Sequence, residues 1–465
     1  MTIQFLHAIL WNTINVFLYK ILLQTHQAFL FYTISKELFG VSGTIFSSVY
    51  LLISLTNFGF DYSLFSFYKQ YSSSQNQCKF LIKQYVIRFI VTLFIILCCW
   101  MASSSLSHIK QIHFFISNVP YALMPCIASI FITESLKKSL ETLAQLSFLN
   151  KSITILEIST IIAYLTIVWS SYFLFGVINL YSIFIPMMFT SFFELLLLLK
   201  RLYRFYKSLP IENIPINDGQ TASNDQNNAI TTPSIIINQA INYLNQFTKA
   251  LFSPNFLILF LAYHLGMSRA GYIKLFTDIV ILLYMLLNRS VGVPSGALLS
   301  RLPQSTLLDQ QAIKTAFLKI TNAYIQLLYV LAITLTAAIV PCIIKSSCFH
   351  PVLTINILLF ILAGFIEYIV ITYEKLFITQ NASKNLAIIN SASIACFLLA
   401  LYQSPNLAQP LILVPIILIR CATVGTIALV AYKKWSIFPS LKIQYQTILI
   451  TLVSSSLCLA VHSLI

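Results

Sequence analysis

The chain has 465 residues, 58% of them hydrophobic and 9% charged, with a formal net charge of +15 at pH 7. A soluble globular domain carries about a quarter charged residues, so this chain lacks the polar surface to cover a water-facing exterior. The hydrophobic residues fall in long blocks that do not alternate, which argues against a β-barrel and for membrane-spanning helices.

Thirteen blocks are long enough to be spans, at about 5–34, 42–66, 80–100, 115–136, 152–173, 178–199, 238–265, 271–288, 314–343, 352–374, 384–403, 409–432 and 445–464. The expected fold is an all-α integral membrane protein with 12–14 transmembrane helices. The first block leads into Lys20, Gln24 and Gln27 rather than a cleavage site, and reads as a retained span.

The positive charge is not a nucleic-acid footprint, because its distribution follows the bilayer. With a cytoplasmic N-terminus, the loops on that side hold most of the 28 Lys and Arg residues, among them Lys79, Lys137, Lys200, Arg204 and Lys434. The opposite loops hold Lys36, Lys110, Arg269, Lys274 and Lys345. This is the positive-inside bias, and it places a multi-pass chain in the cytoplasmic membrane, with anionic lipid headgroups as partners.

Residues 208–234 are rich in Asn, Asp, Pro, Ser and Thr and read as a flexible cytoplasmic linker. That divides the chain into an N-terminal lobe of six spans (1–207), a C-terminal lobe of six (235–434) and an additional span (435–465). The first helix of each half carries a polar stripe. In the first it is Asn12, Asn15, Gln24 and Gln27, with Lys20 at its edge; in the seventh it is Asn238, Asn242, Asn245 and Lys249. Polar stripes in spans face a bundle interior or a wet cavity. Two such helices, one per half, suggest two six-helix lobes around a central cavity.

Lys20, Arg88, Lys249 and Arg420 fall within proposed spans, Arg420 most centrally. A charge there costs about 3 kcal/mol on insertion scales, so each should face inward, either paired or meeting an anionic substrate. The candidate substrate-cavity residues are therefore Lys20, Arg420, Lys249, Asn12, Asn15, Gln24, Asn242 and Asn245. Among the acids, Glu367, Asp278, Glu157 and Glu194 are candidates for a coupling ion, the alternative for each being a structural ion pair. No P-loop, nucleotide fingerprint, metal-ligand spacing or nucleophile elbow is present, so neither enzyme activity, cofactor nor metal is expected.

The stretch Tyr32 to Tyr71, YTISKELFGVSGTIFSSVYLLISLTNFGFDYSLFSFYKQY, resembles the opening of the oligosaccharide and polysaccharide lipid flippases. These belong to the superfamily that also holds the multidrug and toxin extruders. Phe39-Gly40 and Gly43 match the glycines between the first two helices. Asn57-Phe58-Gly59 matches the element closing the second helix, with Asn57 in place of the usual acid, and Phe67, Tyr68 and Tyr71 lie in the following loop. Leu265-Gly266 through Gly271-Tyr272 repeats the pattern in the second half. The resemblance implies a two-lobed cavity and a monomeric transport unit that flips a lipid-linked saccharide by alternating access. The alternative is a cation-coupled multidrug extruder of the same fold; basic cavity walls favour the first, acidic walls the second.

Overall fold

The computed structural model describes residues 2–57, 59, 83, 85–97, 119–208, 232–253, 255–256, 258–259, 288–299, 311–320, 322–323, 373–374, 376–378, 382–403 and 413–435. Among them the elements are all helical. They are α1 (Thr2–Thr33), α2 (Lys36–Leu55), α3 (Tyr85–Leu97), α4 (Met124–Leu146), α5 (Asn150–Phe175), α6 (Leu180–Ser208), α7 (Thr232–Leu251), α8 (Val293–Leu299), α9 (Ser383–Gln403) and α10 (Leu413–Trp435). A single 3₁₀ turn (Tyr121–Leu123) leads into α4 and a π-turn (Asn288–Gly292) leads into α8.

Five helical stretches among the described residues are long and apolar enough to cross a membrane: Phe5–Thr33, Lys36–Leu55, Asn150–Phe175, Leu180–Phe205 and Ser383–Ala400. The blocks at 271–288 and 352–374 fall almost wholly, and that at 445–464 wholly, outside the described residues. So do the linker at 209–231, the motif residues Phe67, Tyr68, Tyr71 and 265–272, and the acids Asp278 and Glu367.

Local sequence sets the helix ends. Ser35 caps α2, its hydroxyl accepting the Leu38 N–H at 3.2 Å. α5 stops at Gly176, whose φ of 70° is the left-handed conformation that glycine adopts without a Cβ penalty. One boundary differs from expectation. The block that ends at 136 in hydropathy continues as helix to Leu146, so Lys137 lies inside α4 and not in a loop. Within α4 the hydroxyls of Thr133 and Thr142 bond back to Ile130 O and Lys138 O, so these polar side chains are satisfied by their own helix.

The chain folds as two compact units. The first comprises Met1–Gln24 with Leu275–Ile465, the second Thr25–Lys274, so the division falls within α1. In the second unit α4 and α6 pack as parallel neighbours. Glu134 meets Ser191 and Lys137 meets Glu194, the same offset along both chains. α5 returns beside α6, and α2 packs on α4 and α7. Ring contacts tie its helices together: Phe46 of α2 lies against the buried Phe184 of α6, and Phe29 of α1 against Trp169 and Tyr172 of α5. In the first unit α9 packs on α10, joined by the Ser393 and Thr423 hydroxyls at 2.6 Å.

Candidate functional site

The sequence of α4 places Glu134, Lys137 and Glu141 three and four residues apart, hence on one helix face. α6 supplies Ser191 and Glu194 to that face and α5 supplies Glu157. The Lys137 ammonium donates to Glu134 Oε1 at 2.7 Å and to Glu194 Oε2 at 3.0 Å. The Ser191 hydroxyl donates to the same Glu134 oxygen at 2.7 Å. Carboxylate oxygens of Glu141, Glu157 and Glu194 lie within 4.8 Å of one another, and all three residues are buried. Lys138, half exposed, reaches Glu141 at 3.9 Å.

Two carboxylates thus share one largely buried ammonium, and two more lie beside Glu194, inside a membrane-spanning bundle. Two unit charges 4 Å apart repel by about 4 kcal/mol at an effective dielectric constant near 20. Four ionised carboxylates so placed favour any bound cation or proton. The three-oxygen set of Glu141, Glu157 and Glu194 has the hardness of a group-I or group-II cation site. Of these residues, Glu157 and Glu194 stood out in the sequence as acids within spans. Glu141 and Lys137 did not, because hydropathy ended the span before them. The E-x-x-K-x-x-x-E spacing on α4 is the signal that finds them.

The opposite face of α4 meets α3. There the buried Arg88 guanidinium donates to the Ser139 hydroxyl, and Thr92 and Ser135 are paired at 3.4 Å. Arg88 is 1% exposed, so it is a buried charge of the second unit.

A third polar group joins α1 to α5. Trp169 Nε1 donates to His26 Nδ1 at 3.2 Å, and His26 Nε2 lies 3.2 Å from the Tyr164 hydroxyl. Tryptophan is only a donor, so Nδ1 holds a lone pair and the neutral imidazole carries its proton on Nε2. Trp169→Phe leaves that buried Nδ1 without its donor and should cost about 1–2 kcal/mol. The check is thermal unfolding of the purified protein in detergent; an unchanged midpoint would show that the bond adds nothing to stability.

The polar stripe expected on α1 is buried: Asn12, Asn15, Lys20 and Gln27 are each at most 6% exposed, and Gln24 is partly exposed. Asn12, in the first unit, donates to the main-chain carbonyl of Arg289 at 2.8 Å. That carbonyl belongs to the π-turn, a local irregularity that is frequent at functional sites. On α7, Asn242 and Asn245 are fully buried and Lys249 is partly exposed. Arg420 on α10 is 5% exposed. Among the described residues the buried charges of the first unit are Lys20, Arg420 and Glu374, two bases against one acid.

No family model matches this sequence, and no curated protein is significantly similar to it. The fold, however, is shared with solved transporters. A mutant of the MATE transporter VcmN from Vibrio cholerae aligns with a TM-score of 0.60 at 11% identity, over 93% of this chain and 97% of that one. An outward-facing multidrug resistance MATE family transporter of the MOP superfamily gives 0.60 at 10% identity, over 93% and 96%. The MATE multidrug transporter DinF-BH gives 0.57 at 12%, over 93% and 95%. The chain is an all-helical, multi-pass membrane protein with the fold of these MATE transporters. At such identities the likeness concerns the fold, and residue roles rest on the geometry above.

Proposed function

We propose that this protein is a transporter that moves a lipid-linked oligosaccharide, or a related anionic amphipathic lipid, across the cytoplasmic membrane by alternating access. The observation that carries the reading is the segregation of buried charge. The first unit buries Lys20 and Arg420 against one acid, Glu374. The second buries four acids, Glu134, Glu141, Glu157 and Glu194, against one fully buried base, Arg88, with Lys137 bridging Glu134 and Glu194. Buried bases attract a diphosphate headgroup, and charge-assisted bonds to phosphate are about twice as strong as neutral ones. The carboxylate cluster then serves a coupling cation or proton. In the same unit as Lys20 and Arg420, Asn12, Asn15 and Gln24 offer neutral partners for a saccharide.

The test is reconstitution in liposomes with a fluorescent undecaprenyl-diphosphate saccharide, following access of an impermeant reagent to the headgroup. The native protein should expose the inner-leaflet pool, and Arg420→Ala and Lys20→Ala should slow that exposure about tenfold or more. Protection equal to that in empty liposomes, with and without an imposed ion gradient, would reject this substrate. A second reading, extrusion of organic cations, is favoured by the carboxylate cluster. Under it, Glu157→Gln and Glu194→Gln would abolish uptake of a cationic dye into inverted vesicles, while Arg420→Ala would not.

A further inference from the structure

The final turns of α6 carry a feature the transport reading does not use. α6 has 29 residues, about 43 Å of helix. The hydrocarbon core is about 30 Å thick and takes about 20 of them, from Leu180 to Leu199. Lys200 to Ser208 therefore continue into the headgroup layer.

One face of α6 runs unbroken through both layers. Phe189, Phe193 and Leu196 are 61%, 58% and 47% exposed, which is the exposure of a lipid-facing surface. At helical spacing the same face continues as Lys200, Tyr203, Arg204 and Lys207, all exposed. The face thus turns from apolar to cationic at the depth where acyl chains give way to phosphates, with Tyr203 at the boundary as in an aromatic belt.

The charge there is unbalanced. Lys200, Arg201, Arg204 and Lys207 make four cations in eight residues, and among the described residues none is in an ion pair. Glu194, the one acid on α6, is held by Lys137. The C-terminal dipole of the helix amounts to about half a negative charge and answers only a fraction of this. Because α5 returns beside α6 through a short turn, Lys151 in the first turn of α5 stands at the same end, also exposed.

We propose that this end of α6 is a binding face for anionic phospholipid. Lys200, Arg204 and Lys207 hold the phosphate headgroup, and the acyl chains run along Leu196, Phe193 and Phe189. Zwitterionic lipids share the chains but lack the net charge, so the face distinguishes headgroups rather than tails.

The test uses Tyr203→Trp as a reporter, its signal obtained by subtracting the emission of the parent protein. The reporter is reconstituted in phosphatidylcholine vesicles containing equal mole fractions of either dibrominated phosphatidylglycerol or dibrominated phosphatidylcholine as quencher. The expected result is quenching at least about twofold stronger by phosphatidylglycerol, lost in the reporter that also carries Lys200→Gln, Arg204→Gln and Lys207→Gln, and weakened at high salt. Retained helical circular dichroism shows that this variant is folded. Equal quenching by both lipids in the unmodified reporter overturns the proposal. A preference that emerges only after Glu212, Asp218 and Asp225 are neutralised also overturns it, by assigning the face to the chain's own linker.

Discussion

Lys137→Met should destabilise the protein by about 3–5 kcal/mol, the range for removing one partner of a buried ion pair. Lys137 is the shared counter-ion of Glu134 at 2.7 Å and Glu194 at 3.0 Å, and these side chains are 12%, 10% and 8% exposed. Methionine keeps the length of the side chain, so the loss is chiefly of charge. It strands two carboxylates beside Glu141 and Glu157, which already crowd Glu194. The triple variant Lys137→Met, Glu134→Gln, Glu194→Gln removes the stranded charge together with its cation, and should recover most of the loss, because a buried pair contributes little net stability over neutral groups of similar shape. Urea or thermal unfolding in detergent measures both. If the triple variant is no more stable than the single one, Lys137 acts through packing and the electrostatic account of the cluster fails.

How far the sequence alone reached follows from what each signal encodes. Hydropathy reports a helix where it is apolar, so α1, α2, α5 and α6 were evident. Hydropathy ends α4 at 136 because its second half, with Lys137, Lys138 and Glu141, is polar where it packs against other helices. The buried stripes of Asn12, Asn15 and Lys20 and of Asn242 and Asn245 were legible because polarity at helical spacing in a span has few uses other than inward contact. The meeting of Glu157 with Glu141 and Glu194 was not legible, since it depends on three helices and on the parallel register of α4 with α6. The π-turn under Asn12 has no sequence signature at all. His26 is not legible as part of a cluster either, because its partners, Tyr164 and Trp169, are about 140 residues away.

Gly59→Ala should cost about 2–5 kcal/mol, and the reason shows what the Asn57-Phe58-Gly59 element does. Gly59 has a φ of 72°, which costs any other L-residue about 1–2 kcal/mol. A Cβ at this position would also stand 2.5 Å from the Gln239 carbonyl oxygen and 2.8 Å from the Tyr243 nitrogen, both main-chain atoms of α7, and 3.0 Å from Asn242 Cβ. Main chain cannot rotate aside, so α2 and α7 must separate, and overpacking of this kind adds about 1–3 kcal/mol. Separation also lengthens the 3.3 Å bond from the Gly59 N–H to Gln246 Oε1. Gly176→Ala is the control: its φ is 70°, but no atom lies within 4 Å of the added methyl, so only the backbone strain remains. The difference in unfolding midpoint between the two variants isolates the contact. If Gly59→Ala is no worse than Gly176→Ala, the end of α2 is not pressed against α7. If it is worse by the expected margin, the glycine that closes α2 is there because it lets α7 approach to main-chain contact, beside the Asn242 and Asn245 stripe.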